Sequence, residues 1–505
     1  MDRQPSGSAG RVTQLLAIAL LAAAPFATGV AIAEADEVGI PQLDTALFRV
    51  PKAGACKPEG GLRGWPLGVD APPLPFAPGD HFAIDQLPLL EAYFPPQLWR
   101  ERERFFYAGM RLEIGPCFAD YAPPGFFADA SERFRGRARL LPNGGLADYV
   151  AGTPFPPDSI DPAAADAGLR WAWNVAHRYQ AAGFRGRFRI SDMVGREGRA
   201  EPFEGELFKL QFAHRADRGA SGYTADGARN KHWVAGGQLF APFDAREYAW
   251  RQYRDLAHEA DPARSDDLHA YLPDWRRVRR LAASGIEGLY MPSFSVGVVK
   301  PATIAGMGAG VSAGAVGAAS DAITTKRSGF EGLEIRPLLY DWKILGVQDV
   351  LAPINAMAPA YPQMSDREFG PWGLSFASDR WDLRRALVLE GKVRGARGAQ
   401  GVSRMVLYVD LQNRVPLYYL SFDRRDEAID VGVYVGRWSE DRPDYPPWPD
   451  DAERPVRVID SAGAAFANLA DIGGWRRESW EAVSTPPDAR AVRRLVSVNN
   501  LTKRR

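Results

Sequence analysis

The feature that most constrains the fold is a period-two alternation of apolar and polar residues. The clearest stretches lie at 184–190, 206–212, 405–411 and 431–436. Successive side chains of a strand point to opposite faces, so this pattern predicts strands with one wet face and one dry face, as in antiparallel sheets. We therefore predict an α+β fold, dominated by β structure, in which a large twisted antiparallel sheet carries few helices. The dry face of such a sheet must be covered by closure, by helices or by a ligand.

The region before these strands differs in composition. Residues 34–135 are rich in proline and aromatic residues. Because proline lacks the backbone donor, a long helix or a central strand is not expected here. We predict an extended arm, with one short helix near 97–106, that packs on a main domain comprising 136–505. The best helical pattern of the main domain lies at 163–182.

The amino terminus has the parts of a cleavable signal peptide over residues 1–33. Arg3 and Arg11 precede an uncharged apolar run at 15–24, and an A-x-A site at 31–33 is followed by Glu34. The alternative is an uncleaved anchor, but a membrane-spanning helix needs about 20 apolar residues. There is no twin arginine, so we predict export to the periplasm, unfolded, through the general secretory route.

Charge and cysteine content narrow the possibilities further. The chain has 62 basic and 62 acidic residues, which argues against nucleic acid or an anionic membrane surface as the main partner. Its two cysteines, Cys56 and Cys117, both lie in the mature part. In an oxidising compartment such a pair favours one disulfide over two buried free thiols.

A Gly-rich segment at 288–325 stands apart from the rest of the main domain. It carries no charge between 301 and 320. One interpretation is a flexible surface loop. The other is an apolar gate beside a cavity.

The segment also matches three familiar motifs by composition. G-x-S-x-G at 310–314 fits a hydrolase nucleophile elbow, but all six histidines precede Ser312, whereas that fold places its histidine after the serine. G-x-G-x-x-A at 308–313 lacks the strand that should precede a dinucleotide site. Gly306, Gly310 and Gly314 have the spacing of close-packed membrane helices, yet predicted strands flank them on both sides. We therefore predict no catalytic residue and no cofactor.

One short stretch contains several potential metal ligands. These are His258, Glu259, Asp261, Asp266, Asp267 and His269. Imidazole and carboxylate are ligands that zinc uses, but the spacing fits no metal motif, and Pro262 with mixed charges is typical of a solvated loop. No metal is predicted here; a metal-dependent enzyme using His258 and His269 is the alternative.

Tryptophan and tyrosine are abundant for a sheet protein. Most must be core residues, but a surplus would suit a cavity for an apolar ligand. The candidate lining residues are Trp233, Phe240, Trp250, Tyr290, Met291, Phe294, Val311, Phe330 and Trp342.

Several blocks between about 140 and 440 resemble, in order, a bacterial exported family known as domain-of-unknown-function family 1329. The matching blocks are Gly152-Thr153-Pro154-Phe155-Pro156, Trp171-Ala172-Trp173-Asn174 with Arg178-Tyr179, Arg276-Arg277-Val278-Arg279-Arg280, Tyr340-Asp341-Trp342-Lys343, Pro353-Ile354-Asn355-Ala356, Arg384 to Glu390 and Val406 to Asp410.

The resemblance implies a fold similar to that of periplasmic lipoprotein carriers of the outer-membrane sorting system. That fold is a curved antiparallel sheet, an unclosed barrel, with helices over its mouth and an apolar cavity between. It implies carriage of a lipid or other hydrophobic compound rather than catalysis. It also implies two partners, an efflux-type inner-membrane transporter and an outer-membrane barrel. An adaptor that docks on an envelope complex without binding a small molecule is a further alternative.

Overall fold

The computed structural model describes residues 45–57, 73–194, 196, 202–217, 230–281, 288–291, 334–356, 368–395, 402–438, 459–469, 473–483 and 488–502. The predicted signal peptide and residues 292–333 of the Gly-rich region lie outside these ranges. All of the described residues belong to one unit, Gly39–Arg505. Within them, no helix is long and apolar enough to cross a membrane.

Strands dominate the described chain. They are β1 His81–Phe82, β2 Leu112–Cys117, β3 Arg139–Leu140, β4 Leu146–Ala147, β5 Gly183–Val194, β6 Phe203–Gln211, β7 Lys231–Ala241, β8 Ala249–Asp255, β9 Asp267–Leu272, β10 Arg277–Leu281, β11 Tyr340–Ala352, β12 Arg380–Val393, β13 Arg404–Asp410, β14 Pro416–Phe422, β15 Ala428–Trp438, β16 Ile459–Asn468 and β17 Gly473–Val483. The described α-helices are short: α1 Pro96–Arg100, α2 Arg102–Phe105, α3 Gly125–Arg133, α4 Ala167–Ala176 and α5 Ala489–Val496.

Fifteen of these strands form a single open sheet. Its order is β1-β2-β12-β13-β14-β15-β16-β17-β5-β6-β7-β8-β9-β10, with β11 paired to the other edge of β12. The path runs from β1 to β10, and no pairing joins these two ends in the described chain. Every pair in the sheet is antiparallel except β2 with β12, which is parallel. The β-dominant α+β fold with a large unclosed sheet is therefore confirmed, with the correction that the sheet is mixed.

Both faces of the half-sheet β11–β14 are covered by the chain's own side chains. Leu387 and Leu389 of β12 face α4, where Trp171 and Trp173 pack against them in one apolar cluster. Their neighbour Val388 faces the opposite side, in a cluster with the arm. The sequence pattern predicted one wet face and one dry face, but both faces are buried here because the sheet lies between two layers.

The amino-terminal arm forms one of those layers. Residues of the arm, among them Phe94 and Phe106, pack on Trp381 of β12 with ring centroids 5.8 and 5.9 Å apart. The predicted short helix is present as α1 and α2. The prediction of no internal strand was wrong for β2, which lies between β1 and β12. Pro116 lies near the end of this strand, where the lack of a backbone N–H removes at most one hydrogen bond to the neighbouring strand.

A disulfide links two parts of the arm. Cys56 and Cys117 are bonded, with Cα atoms 5.2 Å apart and a sequence separation of 61. The predicted pairing is confirmed. Because Cys117 is fully buried at the end of β2, the bond fixes residues 45–57 to a strand of the main sheet.

Two helices pack on different parts of the sheet. The helix α4, on β11 and β12, is shorter than the pattern at 163–182, since it ends at Ala176 and β5 begins at Gly183. The carboxyl-terminal α5 packs Val492, Leu495 and Val496 on β6 and β7. Arg251 Nε of β8 donates to the Leu495 carbonyl at 2.6 Å, which holds the end of α5 on the sheet.

Candidate functional site

The half-sheet β5–β9 with β15–β17 carries a large aromatic face, called here the Trp250 cluster. Its buried members are Phe188, Ile190, Phe203, Leu207, Leu239, Ala245, Tyr248, Trp250, Leu268, Ala270, Leu272, Tyr290, Met291, Tyr434, Ala464, Phe466 and Trp475. Tyr290 and Met291 are its only buried members outside the strands and the β7–β8 connection, and none of the described α-helices contributes one. This face therefore differs from the β11–β14 half, which a helix and the arm cover.

The rings of the Trp250 cluster are in mutual contact. Trp250 lies 6.1 Å from Tyr290 and 6.5 Å from Phe188, measured between ring centroids. Phe466 and Trp475 stack at 4.5 Å. Pairs of this kind contribute about 0.5–1.5 kcal/mol beyond the area that they bury.

The polar atoms within this face are few. The hydroxyls of Tyr248 and Tyr290 are hydrogen-bonded to each other at 2.9 Å. Burial raises the pKa of Tyr290 to about 12, so its phenol is neutral at physiological pH. A mostly apolar surface with a small polar pair is typical of sites for apolar molecules that carry one polar group.

The segment 288–291 is held on this face by Gln252 of β8. Gln252 is fully buried; its Oε1 accepts from the backbone N–H of Tyr290 at 2.7 Å, and its Nε2 donates to the Gly288 carbonyl at 3.1 Å. Nε2 also donates to Asp266 at 2.7 Å. The side-chain amide of Gln252 thus satisfies backbone groups of this segment that a neighbouring strand would otherwise pair with.

The chain returns from residues 292–333 beside the same network. Arg254 forms two bonds of 3.0 Å with Asp266 and donates through Nη1 to the Glu334 carbonyl at 2.9 Å. The Glu334 carboxylate accepts from Lys209 Nζ. The described segments on either side of 292–333 are therefore held by residues of β6 and β8 and by Asp266, which directly precedes β9.

The structure brings together three of the predicted lining residues: Trp250, Tyr290 and Met291. Trp233 is buried in a small neighbouring cluster with Ala235 and Leu289, below Lys209 and Arg254. Trp342 packs with α4 in the other half-sheet.

The other candidates are not placed at this face. Phe240 is 45% exposed. Phe294, Val311 and Phe330 lie outside the described residues. The expectation of a cavity over the whole dry face needs correction for β11–β14, because the arm and α4 fill that half with side chains.

A second site, the histidine cluster, consists of His177, His214, His232 and Glu259. Glu259 Oε1 lies 3.0 Å from His214 Nε2, 3.4 Å from His177 Nε2 and 4.0 Å from His232 Nδ1. All four side chains are largely buried, and none of these four atoms has a well-formed hydrogen bond. Leaving a buried polar atom without a partner costs about 1–3 kcal/mol, so the arrangement calls for an explanation.

Backbone contacts bring the four residues together. His177 caps the end of α4, and His232 lies in β7. The His232 carbonyl accepts from the N–H groups of Phe212 and Ala213, which sets the turn containing His214 against β7. Glu259 ends the turn Leu256–Glu259, whose first N–H donates to the Asn230 carbonyl.

Burial and charge set the protonation of this cluster. Burial lowers the pKa of His177 to about 3 and that of His232 well below its usual value, so both rings are neutral at pH 7. Burial alone would raise the pKa of Glu259, but the neighbouring histidines lower it to about 2. Burial also opposes charge on His214, yet the Glu259 carboxylate outweighs it and raises that pKa.

The predicted metal-ligand stretch is only partly at this cluster. Glu259 belongs to it, and His258 stacks on His232 with ring centroids 5.5 Å apart. Asp266 is instead bonded to Arg254 and Gln252, and His269 lies beside the Tyr253 ring, so His258 and His269 do not form the site that the alternative required. His177, His214 and His232 could not be grouped by spacing, because each comes from a different element.

A small cavity borders the histidine cluster. Its volume is about 30 Å³, and His177, His214, His232, Lys209 and Tyr149 are among its lining residues. It is large enough for a water molecule or an ion.

Comparison with solved structures finds distant similarity. A domain from Vibrio parahaemolyticus, named as an outer membrane lipoprotein-sorting protein, is 12% identical, with a TM-score of 0.36 over 67% of this chain and 100% of that one. A DUF1329 family protein from Desulfovibrio piger is also 12% identical, with a TM-score of 0.36 over 64% and 93% of the two chains. A LolA superfamily protein from Nitrosomonas europaea is 8% identical, with a TM-score of 0.31 over 65% and 96%.

Sequence comparison gives a firmer result. No curated protein matches the chain. The family described as "Protein of unknown function (DUF1329)" matches residues 103–289 and 315–450. These ranges cover more than half of the chain and include most of the main sheet, the histidine cluster and most of the Trp250 cluster. The chain therefore belongs to the DUF1329 family.

Proposed function

We propose that this protein is an exported, periplasmic binding protein that carries a lipid or other hydrophobic compound. The observation that supports this most is the Trp250 cluster. It is a broad aromatic face to which, outside the sheet and its connections, the described chain contributes only Tyr290 and Met291 as buried members. Transferring apolar surface from water to such a face contributes about 25 cal/mol per Å², or about 0.8 kcal/mol per methylene.

The chemistry of the face suits a ligand with an apolar body. Strand residues supply most of the rings, and the hydrogen-bonded hydroxyls of Tyr248 and Tyr290 supply a polar pair. The proposal extends to the partners that the family resemblance implies, an efflux-type inner-membrane transporter and an outer-membrane barrel. The proposal does not specify the identity of the compound or the direction of its transport.

The first test is native mass spectrometry of the protein purified from the periplasm, followed by extraction and identification of any bound compound. A fluorescent fatty-acid analogue then measures binding directly. We expect the wild-type protein to bind the analogue in a saturable way and to release it to a competing lipid. A folded wild-type protein that carries no apolar compound and binds no analogue would overturn the proposal.

A pair of variants locates the binding to the cluster. Met291→Asp places a charge within the aromatic face, on a segment outside the sheet, and should weaken analogue binding at least about tenfold because a buried unpaired charge is costly. Phe243→Asp makes the same chemical change at a side chain that is 84% exposed, and should leave binding unchanged. Circular dichroism and thermal unfolding confirm that both variants fold. Equal binding by two folded variants would place the ligand elsewhere.

A further inference from the structure

Three residues of the histidine cluster bring potential ligand atoms close enough to share one ion. One ring nitrogen each of His177 and His232 and one Glu259 oxygen lie within 4.8 Å of one another. His214 Nε2 lies 3.0 Å from Oε1 of that carboxylate. The side chains of His177 and His232 are only 2% and 6% exposed, so bulk water does not satisfy these nitrogens.

The distances fit coordination better than direct hydrogen bonding. Tetrahedral zinc, with bonds of about 2.0–2.2 Å, holds its ligand atoms about 3.3–3.6 Å apart. The three distances from Oε1 to the imidazole nitrogens are 3.0, 3.4 and 4.0 Å, which bracket that range. A carboxylate oxygen that served only as a hydrogen-bond acceptor would hold its donors nearer 2.7–2.9 Å.

The surroundings of His214 orient its ring for such a role. Its Nδ1 lies 2.9 Å from the Val150 carbonyl, which can only accept, so Nδ1 carries the proton. With Nδ1 turned to Val150, Nε2 faces the Glu259 carboxylate at 3.0 Å. Either a proton on Nε2 or a metal cation beside the two atoms would make this contact favourable. A carbonyl on the far nitrogen of a metal-bound histidine is the usual arrangement for fixing its tautomer.

The neighbouring charges leave room for a cation. Lys209 borders the same cavity, but its ammonium is bonded to the Glu334 carboxylate and the Gln180 side chain. Glu259 thus remains the one acidic group among the three imidazoles. A site of three imidazole nitrogens and one carboxylate suits a divalent transition metal rather than Ca²⁺ or Mg²⁺, which prefer oxygen ligands.

We propose that His177, His214, His232 and Glu259 bind one divalent transition-metal ion of the Zn²⁺ class. The four ligands come from four separate elements. His177 follows α4, His214 lies in the turn after β6, His232 lies in β7, and Glu259 ends the turn Leu256–Glu259. With four protein ligands the site is of the structural type, and the ion joins these segments. This inference does not depend on the proposed carrier function, since the ligands do not belong to the Trp250 cluster.

The test uses the full mature protein, stripped with a chelator and then titrated with Zn²⁺ or Co²⁺. We expect one equivalent per chain by elemental analysis, an increase in Tm with Zn²⁺, and the visible absorption of four-coordinate Co²⁺. Folded wild-type protein that takes up less than a tenth of an equivalent would overturn the proposal, and the contact between His214 and Glu259 would then be a simple ion pair. Octahedral Co²⁺ absorption would contradict the proposed ligand set.

Two variants and a matched control assign the ligands. Glu259→Gln and His232→Ala should each lower Zn²⁺ affinity by at least about 10–100-fold, the loss known for weaker, outer contacts to a metal. His269→Ala removes a histidine on β9 that lies beside Tyr253, away from the cluster, and should bind as the wild type does. If a variant does not fold, the Co²⁺ spectrum of the wild-type protein still decides the question. Unchanged affinity in a folded Glu259→Gln or His232→Ala protein would overturn the assignment.

Discussion

Gln252 Oε1 accepts the backbone N–H of Tyr290 at 2.7 Å, so one buried amide of β8 fixes the position of the described segment 288–291. The same amide donates to the Gly288 carbonyl and to Asp266, which also holds Arg254. Arg254 in turn donates to the Glu334 carbonyl, where the described chain resumes. The described residues on either side of 292–333 therefore share one hydrogen-bonded network beside the Trp250 cluster.

Replacing Gln252 with Ala should loosen this network. The change leaves the N–H of Tyr290 and the carbonyl of Gly288 without their partner, which costs about 1–3 kcal/mol for each buried group left unpaired. We expect a lower free energy of unfolding in urea, monitored by tryptophan fluorescence. Gln238→Ala, at a half-buried position on the adjacent β7, is the control and should cost much less. Equal losses in the two variants would show that the network contributes nothing specific.

Removing the disulfide should destabilise the protein by about 4 kcal/mol in the chain-entropy model, given a loop of this length. The bond closes a separation of 61 residues between Cys56 and Cys117. We expect this loss in a Cys56→Ser/Cys117→Ser variant, measured by urea unfolding against the oxidised wild type. Thiol labelling of denatured, unreduced wild-type protein should find no free thiol; labelling of both cysteines would refute the bond in the exported protein.

The fold was predictable where it depends on local pattern. The alternation at 206–212 and 405–411 gave β6 and β13, and the compartment rule gave the disulfide between Cys56 and Cys117. The parallel pairing of β2 with β12 was not predictable, because it joins segments more than 260 residues apart and depends on the arm filling one face of the sheet.

The sites, too, were predictable only where they depend on local sequence features. Trp250 and Tyr290 could be proposed as lining residues of an apolar site because aromatic residues are abundant in the sequence. The histidine cluster was missed, since its ligands are spread from 177 to 259 with no short spacing. A strand was not predicted over 231–241, although the apolar residues Trp233, Val234 and Ala235 lie there; such a prediction would have been the clue, because β7 buries His232.

Cleavage by signal peptidase should leave a mature protein that begins at Glu34. The small residues Ala31 and Ala33 occupy the positions that the peptidase requires. Amino-terminal sequencing of protein recovered from the periplasm measures this directly. An Ala33→Tyr variant should accumulate uncleaved. A start more than a few residues from Glu34, or an uncleaved wild-type protein in the membrane fraction, would contradict the prediction.

The pair formed by Asp266 and Arg254 should make stability depend on acid pH. Burial alone would raise the pKa of Asp266, but Arg254 outweighs it and holds that pKa below its usual value. The folded state therefore favours the carboxylate more than the unfolded state does. This contribution is complete above the unfolded pKa of about 4 and is lost as the pH falls through the folded value.

Asp266→Asn tests that pH dependence. At pH 7 the variant should lose about 3–5 kcal/mol of unfolding free energy, because Arg254 is left buried without its counter-charge. The gap between the two proteins should narrow below pH 4, where the wild-type carboxyl begins to take up a proton. Asp261→Asn, at an exposed position in the preceding loop, is the matched control and should show neither effect. A gap that stays constant from pH 7 to pH 3 would mean that the Asp266 charge does not stabilise the fold, and that its hydrogen bonds to Gln252 and Arg254 act regardless of ionisation.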